Sequence, residues 1–180
     1  MQSETQSWLD RLRREIEEAT RGLGETEWGR APEGRWNSAQ ILEHLGRTYG
    51  GTAKMLEKNL GAGEASGGAL PETRPVTRKE HLYQFLVIRM GRFPSERESP
   101  PFALPQGKPG PEARQAALSG LERMKTALDA AEQRWGKRQR VGSHFYFGPL
   151  TVEQWRKFHY LHGHHHVLQI RERSGGRLAA

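Results

Sequence analysis

The sequence contains no cysteine and no hydrophobic run long enough to cross a membrane. The absence of cysteine excludes disulfide bonds, thiolate nucleophiles and cysteine-type zinc fingers. No apolar stretch approaches the roughly 18 residues of a transmembrane helix, and the first ten residues lack the basic and apolar segments of a signal peptide. We therefore expect a cytoplasmic protein with no membrane partner, in which histidine, carboxylate or water would bind any metal.

Acidic residues are also fewer than basic ones, 21 against 28, which gives a formal net charge of +7. Clustered Lys and Arg would indicate a nucleic-acid partner. The densest basic patch, however, holds only Arg134, Lys137, Arg138 and Arg140, and no exposed aromatic residues alternate with them. We therefore do not expect nucleic-acid binding, and we interpret the basic surface as an aid to solubility or an attraction for an acidic small molecule.

Strand signals are nearly absent, apart from the short aromatic run at residues 144–147. Apolar residues instead recur at helical spacing in four long segments, with capping residues at their starts. These segments begin near residue 4, after Asn37, after Gly110 and after Thr151, and a shorter helix follows Thr77. Trp36, Trp155 and Phe158 are interpreted as core residues rather than as the lining of a pocket.

Five prolines between residues 93 and 110 forbid a regular element there, so a long connection joins the second and third long helices. The pattern predicts an all-α fold, a four-helix bundle with one crossover. The length of 180 residues favours a single domain over residues 1–180, with its core at about residues 5–172.

Five of the eight histidines lie between residues 158 and 170, in the fourth long helix. At about 100° per residue, His162 and His166 lie about 40° apart and face the core. His164 points to the opposite, solvated side, and His165 lies at the flank of the apolar arc. Two inward imidazoles one turn apart can hold one metal ion. A set of His159, His162 and His166 would also share a face, and two core histidines that neighbouring groups satisfy are the alternative without metal.

His44 lies at the border of the apolar stripe of the second long helix, where it would either face solvent or point inward as a third ligand. Three protein nitrogens would leave positions open for water or substrate. His144 could reach such a site as an acid, a base or a substrate anchor, or be a loop histidine without chemistry. Gln169 could orient one of the ligand imidazoles.

Two segments carry a resemblance to a known family: WNSAQILEHL, which contains His44, and HFYFGPLTVEQWRKFHYLHGHHHVLQI, which contains His162 and His166. With them the chain resembles the DinB/YfiT-like superfamily from about residue 5 to 172. The resemblance implies a four-helix bundle, often dimeric, with a divalent metal on three histidines. Carried over position by position, these ligands are His44, His162 and His166.

The resemblance also implies candidate reactions, because characterised members include S-transferases and isomerases that use low-molecular-weight thiols such as bacillithiol, mycothiol or glutathione. A thiol-dependent transferase, a metal-dependent hydrolase with the same three-histidine site and a non-catalytic metal-binding bundle are the competing hypotheses. Zinc or nickel is the expected divalent ion, with iron and manganese as the other candidates. The expected partner is a small-molecule substrate, and no organic cofactor is expected.

Overall fold

The computed structural model describes residues 4–92 and 99–175. This part of the chain contains six α-helices and one small sheet, which confirms the predicted all-α bundle. In chain order the elements are α1 (Glu4–Ala19), α2 (Glu25–Gly29), α3 (Ser38–Ala65), α4 (Arg78–Tyr83), α5 (Gly110–Trp135), β1 (Arg140–His144), β2 (Gly148–Thr151) and α6 (Val152–Arg173). A π-helical segment (Gln84–Arg89) continues α4, and a 3₁₀ turn (Pro101–Ala103) precedes α5.

Capping boxes determine where α3 and α6 begin. The side chain of Asn37 accepts a hydrogen bond from the backbone N–H of Gln40 at 2.9 Å, and the Gln40 side chain accepts one from the Asn37 N–H at 3.0 Å. Thr151 and Gln154 form the same reciprocal pair at the start of α6. Each box satisfies two backbone donors that a helix N-terminus otherwise leaves unpaired. The sequence predicted both caps.

The four long helices α1, α3, α5 and α6 form the bundle, in which α3 packs most extensively against α5 and α1 against α6. Glycine permits the close approach of α3 to α5. A Cβ atom on Gly46 would lie 3.1 Å from the backbone of Ala116, and one on Gly120 would lie 3.1 Å from the carbonyl oxygen of Gly46. No helix in residues 4–92 and 99–175 combines the length and the apolar character that a membrane span requires.

Neighbours surround α6 on most of its sides. It contacts α1, α3, α5, the π-helical segment and β2. Its Arg156 is fully buried and forms ion pairs with Asp129, at 2.6 Å, and with Glu132, both on α5. Because this helix is buried on several faces, the polar and apolar sides that its sequence suggests are not cleanly separated in the fold.

The strands β1 and β2 form an antiparallel hairpin that the sequence did not predict. Arg140 pairs with Thr151 and His144 pairs with Gly148, so residues 145–147 of the aromatic run form the turn and not a strand. Gly142, Gly148 and Pro149 interrupt the alternation on which strand prediction relies. Tertiary contacts hold the hairpin instead, since the Asn59 side-chain amide donates to the carbonyl of Val141 at 2.8 Å.

The connection between α3 and α5 passes through α4, the π-helical segment and the 3₁₀ turn. The sequence predicted one short helix after Thr77, whereas the structure divides it into an α-helical and a π-helical part. Gln84 lies at the junction, and its side-chain amide donates to the carbonyls of Phe147 and Pro149 on the hairpin. Residues 93–98, which belong to the proline-rich crossing, lie outside the described residues.

Candidate metal centre

Three imidazoles from two helices converge on one point. His44 lies in the second turn of α3, and His162 and His166 lie one turn apart on α6. The Nε2 atoms of His44 and His162 are 3.3 Å apart, and those of His162 and His166 are 3.2 Å apart. All three candidate ligand atoms lie within 4.8 Å of one another. The structure thus brings together the three histidines that the resemblance implied.

The tautomer of His44 follows from its hydrogen bond to the backbone. Its Nδ1–H donates to the carbonyl oxygen of Ala103 at 2.9 Å, and a carbonyl can only accept. The proton of the neutral ring is therefore on Nδ1, and Nε2 carries a lone pair. His44 is 4% exposed, so this lone pair is directed into the protein and not toward bulk solvent.

Gln169 determines the tautomer of His166 in the same way. The Nδ1–H of His166 donates to Oε1 of Gln169 at 2.9 Å, and the amide Nε2–H of Gln169 donates to Nε2 of His165 at 3.2 Å. The second bond requires the amide nitrogen to face His165, which leaves the amide oxygen facing His166. The lone pair of His166 is therefore also on Nε2, directed at the same point as that of His44.

This donor set fits a divalent cation. Two lone pairs, from His44 and His166, face Nε2 of His162. That atom carries at most one hydrogen, so at least one of the two contacts is repulsive unless a positive charge lies between the rings. Nitrogens bound to one tetrahedral ion at about 2.0–2.1 Å lie about 3.3 Å apart. The observed separations of 3.2 and 3.3 Å match that value.

Burial keeps all three imidazoles neutral at pH 7. It lowers the pKa of His44, although the hydrogen bond to Ala103 partly opposes the change. Burial, followed by the proximity of His44, lowers the pKa of His166 to about 3. The pKa of His162 lies well below its ordinary value because of burial and then the neighbouring His166. Neutral imidazole is the form that binds metal.

Glu43 supports His44 from the preceding position in α3. It is 1% exposed, and its Oε2 accepts backbone hydrogen bonds from Gly107 at 2.9 Å and from Lys108 at 3.0 Å. Burial alone would raise the pKa of Glu43, but the backbone donors outweigh it and lower this pKa. The charged carboxylate thus holds the end of the crossing against α3, where Ala103 meets His44.

A cavity of about 1110 Å³ opens beside the three imidazoles. Trp36, Trp155 and Phe158 line it. Trp155 and Phe158 are core residues, as predicted, but they also form part of the cavity wall, and Trp36 is only partly buried against the core. The ring of Trp36 lies 5.0 Å from that of His44. The cavity gives a small molecule access to the point at which the imidazoles meet.

A model of the DinB superfamily matches residues 9–170, which is most of the chain. The chain belongs to the DinB superfamily. Comparisons with curated proteins and with solved structures gave no match.

In this DinB-superfamily chain, His159 stands apart from the three clustered imidazoles. It is fully buried, and its Nε2 lies 3.1 Å from Oγ1 of Thr52 on α3. The alternative set of His159, His162 and His166 is therefore not the one that converges. Sequence spacing alone could not separate the two sets, because all three residues share one face of α6.

His164 differs from its prediction as a solvated residue. It is half-buried, and its Nδ1 lies 2.7 Å from a carboxylate oxygen of Glu15 on α1. The prediction was wrong because α1 packs against the side of α6 that the helical projection assigned to solvent. His165, predicted at the flank of the apolar arc, is exposed and contacts Gln169.

His144 lies at the end of β1 and lines the cavity. Its Nδ1 accepts a hydrogen bond from the backbone N–H of Tyr146 at 3.1 Å, so its remaining proton is on Nε2. Its ring centroid is 4.6 Å from that of Phe147 and 4.7 Å from that of Phe158. Burial lowers the pKa of His144 to about 4, which leaves a neutral N–H donor rather than a strong base at pH 7.

Sequence reasoning missed three groups around this site: the carbonyl of Ala103, the carboxylate of Glu43 and the guanidinium of Arg173. A carbonyl has no side-chain signal. Glu43 did have one, since it directly precedes His44 within a short apolar stretch that contains Ile41, Leu42 and Leu45. Arg173 had one as well, because it lies four residues after Gln169 and seven after His166 and so shares their helix face.

Proposed function

We propose that this chain is a metal-dependent enzyme that binds a divalent ion through His44, His162 and His166 and acts on a small molecule in the adjoining cavity. The observation that carries the proposal is the convergence of three neutral imidazole nitrogens at the wall of an open cavity. A structural zinc site would have four protein ligands, whereas three leave a position open for a reactant. Donors that are all imidazole suit zinc or nickel.

A divalent ion bound there supplies a Lewis acid that favours the deprotonated form of a thiol or a water molecule. The chain itself positions and shields the reactant. Phe147, Phe158 and Trp155 provide apolar walls that exclude bulk water, and His144 offers an Nε2–H donor from one side. The hydrogen bonds that His44 and His166 donate to the Ala103 carbonyl and the Gln169 amide oxygen keep the lone pairs of the ligands directed at the site.

Thiol transfer fits the lining better than hydrolysis does. Among the described residues, no Asp or Glu side chain lines the cavity, so no carboxylate is in place as a general base for water. His144, with its lowered pKa, is a weak base. A thiol is more acidic than water and depends less on a base. Because the chain has no cysteine, the thiol must come from a low-molecular-weight cosubstrate.

Metal analysis of protein purified without a histidine tag tests the ligand set. We expect about one ion per chain in the wild type, and a loss of about 10-fold or more in metal affinity in each of His44→Ala, His162→Ala and His166→Ala. His81→Ala is the matched control, because His81 is exposed on α4. If only the two substitutions in α6 lower the metal content, the assignment of His44 is wrong.

Activity assays distinguish thiol transfer from hydrolysis. Wild-type protein loaded with zinc or nickel is incubated with an electrophile such as chlorodinitrobenzene and, in turn, with bacillithiol, mycothiol and glutathione. A nitrophenyl ester without thiol is the hydrolysis arm. We expect metal-dependent conjugation with at least one thiol, lost in His162→Ala and retained in His81→Ala. Ester turnover without thiol transfer would favour the hydrolase, and metal binding without either activity would favour a non-catalytic bundle.

A further inference from the structure

Arg173 is a buried cation at the end of α6, and two of its three guanidinium nitrogens lack acceptors in the described part of the chain. The residue is 9% exposed. Its Nε and Nη1 atoms are buried and have no hydrogen-bond partner in residues 4–92 and 99–175, and no ion pair to a carboxylate is formed there either. An arginine stays charged at any physiological pH. Burying such a charge without a partner is costly, so an anionic partner is expected.

The other two arginines of α6, which are at least half-buried, have carboxylate partners. Arg156, fully buried in the bundle, has Asp129 and Glu132 as carboxylate partners. Arg171, two residues before Arg173, lies 3.7 Å from a carboxylate oxygen of Glu18 on α1. The fold therefore supplies anions to the arginines that face other helices. Arg173, the one that forms no ion pair with a carboxylate in the described part of the chain, is also the one that lines the cavity.

The position of Arg173 connects it to the metal centre. It lies on the same side of α6 as Gln169 and His166, about 10 Å along the axis from His166 at 1.5 Å per residue. Arg173 and the three histidines of the metal centre all line the same cavity. A single small molecule can therefore reach both the three histidines and the guanidinium.

Among the described residues, the cavity lining around Arg173 favours an anion. Arg35, in the loop before α3, also lines the cavity. Burial lowers the pKa of Arg173, the charge of the adjacent Glu172 opposes this change, and the charge of Arg35 adds to it. No acidic side chain lines the cavity among the described residues. The remaining walls are mainly aromatic and aliphatic, so they suit an apolar body between the two polar ends.

We propose that Arg173, assisted by Arg35, forms a carboxylate-binding subsite, and that the substrate is a small organic molecule with an apolar body and a terminal carboxylate. The planar guanidinium matches a carboxylate in shape and charge, and the pair forms strong hydrogen bonds when shielded from water. The statement that the bound molecule is a substrate rests on the proposed function, whereas the anion subsite itself does not require metal.

Binding of 3-phenylpropanoate tests the subsite, with the neutral 3-phenylpropanamide as the matched ligand. Both are titrated into ¹⁵N-labelled protein kept metal-free with a chelator, so the carboxylate cannot bind a metal ion instead. We expect the carboxylate to bind more tightly than the amide and to shift the Nε–H resonance of Arg173. Equal affinity for the two ligands, no binding of the carboxylate, or an unshifted Arg173 resonance would overturn the proposal.

Variants test whether Arg173 is the residue that binds the carboxylate. Arg173→Gln should weaken carboxylate binding by about 10- to 100-fold and leave amide binding unchanged, because a charged hydrogen-bonded pair is lost. Arg173→Lys keeps the charge and should weaken binding less. Arg171→Gln is the matched control, since it removes an equal charge from the same helical turn, and it should change the affinity less than about twofold. An equal loss in Arg171→Gln and Arg173→Gln would overturn the proposal.

The result of the carboxylate-binding experiment does not depend on the result of the metal analysis. If the three histidines bind no metal, carboxylate affinity in the chelated protein still reports on Arg173. If substitution of Arg173 does not change the affinity for the carboxylate, the metal content of the histidine variants still reports on the ligand set. The wild-type comparison of carboxylate with amide also needs no substitution, so it holds even if Arg173→Gln fails to fold.

Discussion

Gln169 joins two histidines through the two ends of one amide. Its oxygen accepts from Nδ1–H of His166 and its nitrogen donates to His165. The first bond selects the tautomer in which Nε2 of His166 carries the lone pair and sets the plane of the ring. Gln169 is therefore a positioning residue for a candidate ligand rather than a ligand itself, and its removal should affect metal binding while the ligand set remains complete.

We predict that Gln169→Leu lowers the metal affinity by about 10- to 100-fold, because His166 loses the acceptor that fixes its tautomer. Gln169→Glu should keep most of the affinity, since a carboxylate oxygen can accept the same hydrogen bond. Competition with a chromogenic chelator measures both constants, and the unfolding temperature of the metal-free protein checks that the fold is retained. Equal affinities in the Leu variant and the wild type would contradict the role of Gln169.

The sequence predicted individual residues well where helical geometry alone decides, and poorly where a distant segment does. The spacing of His162 and His166 was sufficient to place them on one face of α6. The carbonyl of Ala103 was not predictable, because it meets His44 across 59 residues of sequence and along an irregular crossing. The prediction for His164 was wrong for a similar reason. Its partner Glu15 belongs to another helix, α1, and the local sequence pattern does not indicate where that helix lies.

At the scale of the elements, Gly163 sets how closely α6 approaches its neighbours. It lies directly after His162, and a Cβ atom added there would be 2.6 Å from the Leu12 side chain on α1 and 2.6 Å from the Tyr49 hydroxyl on α3. Both contacts are far shorter than van der Waals distance, and both partners are fully buried. The missing side chain thus allows α6 to pack against α1 and α3 with its histidines in place.

We predict that Gly163→Ala destabilises the protein by about 1–3 kcal/mol through overpacking, although alanine is the better helix former. Gly61→Ala on α3 is the matched control. A Cβ atom there meets nothing within 4 Å, and the gain in helix propensity should stabilise the protein by about 0.5–1 kcal/mol. Urea denaturation of the metal-free variants gives both values. A stabilised Gly163→Ala variant would show that the α1–α6–α3 packing is looser than described.

The elements differ in how far local sequence specifies them. The caps of α3 and α6 were predictable because a capping box is a contact between residues three apart. The hairpin and the π-helical segment were not, because both depend on tertiary hydrogen bonds. The side chain of Gln84 in the π-helical segment bonds to hairpin carbonyls, and the short strands have too few residues to show a period of two.

At the scale of the whole molecule, the fold buries several histidines in neutral form. Burial lowers the pKa of His144 to about 4 and those of His159 and His166 to about 3. The same groups titrate near pH 6.5 in an unfolded chain. Between these values the unfolded chain binds more protons than the folded one, so the free energy of unfolding falls as the pH falls. The stability these groups provide is fully present above pH 6.5.

We predict that the metal-free protein loses at least about 3 kcal/mol of stability between pH 6.5 and 5.5, since each of these three groups contributes up to about 1.4 kcal/mol per pH unit. The lowered pKa values of His44 and His162 add to this loss. Urea denaturation at pH 7.5, 6.5 and 5.5, with a chelator present, measures the change. In His144→Gln, the free energy of unfolding should fall less steeply with pH, by the equivalent of about one proton. His81→Gln should leave this slope unchanged, because His81 is exposed. The same stability at pH 5.5 and 7.5 would show that these imidazoles are solvated or charged in the folded protein, which would also remove the neutral nitrogens that the metal centre requires.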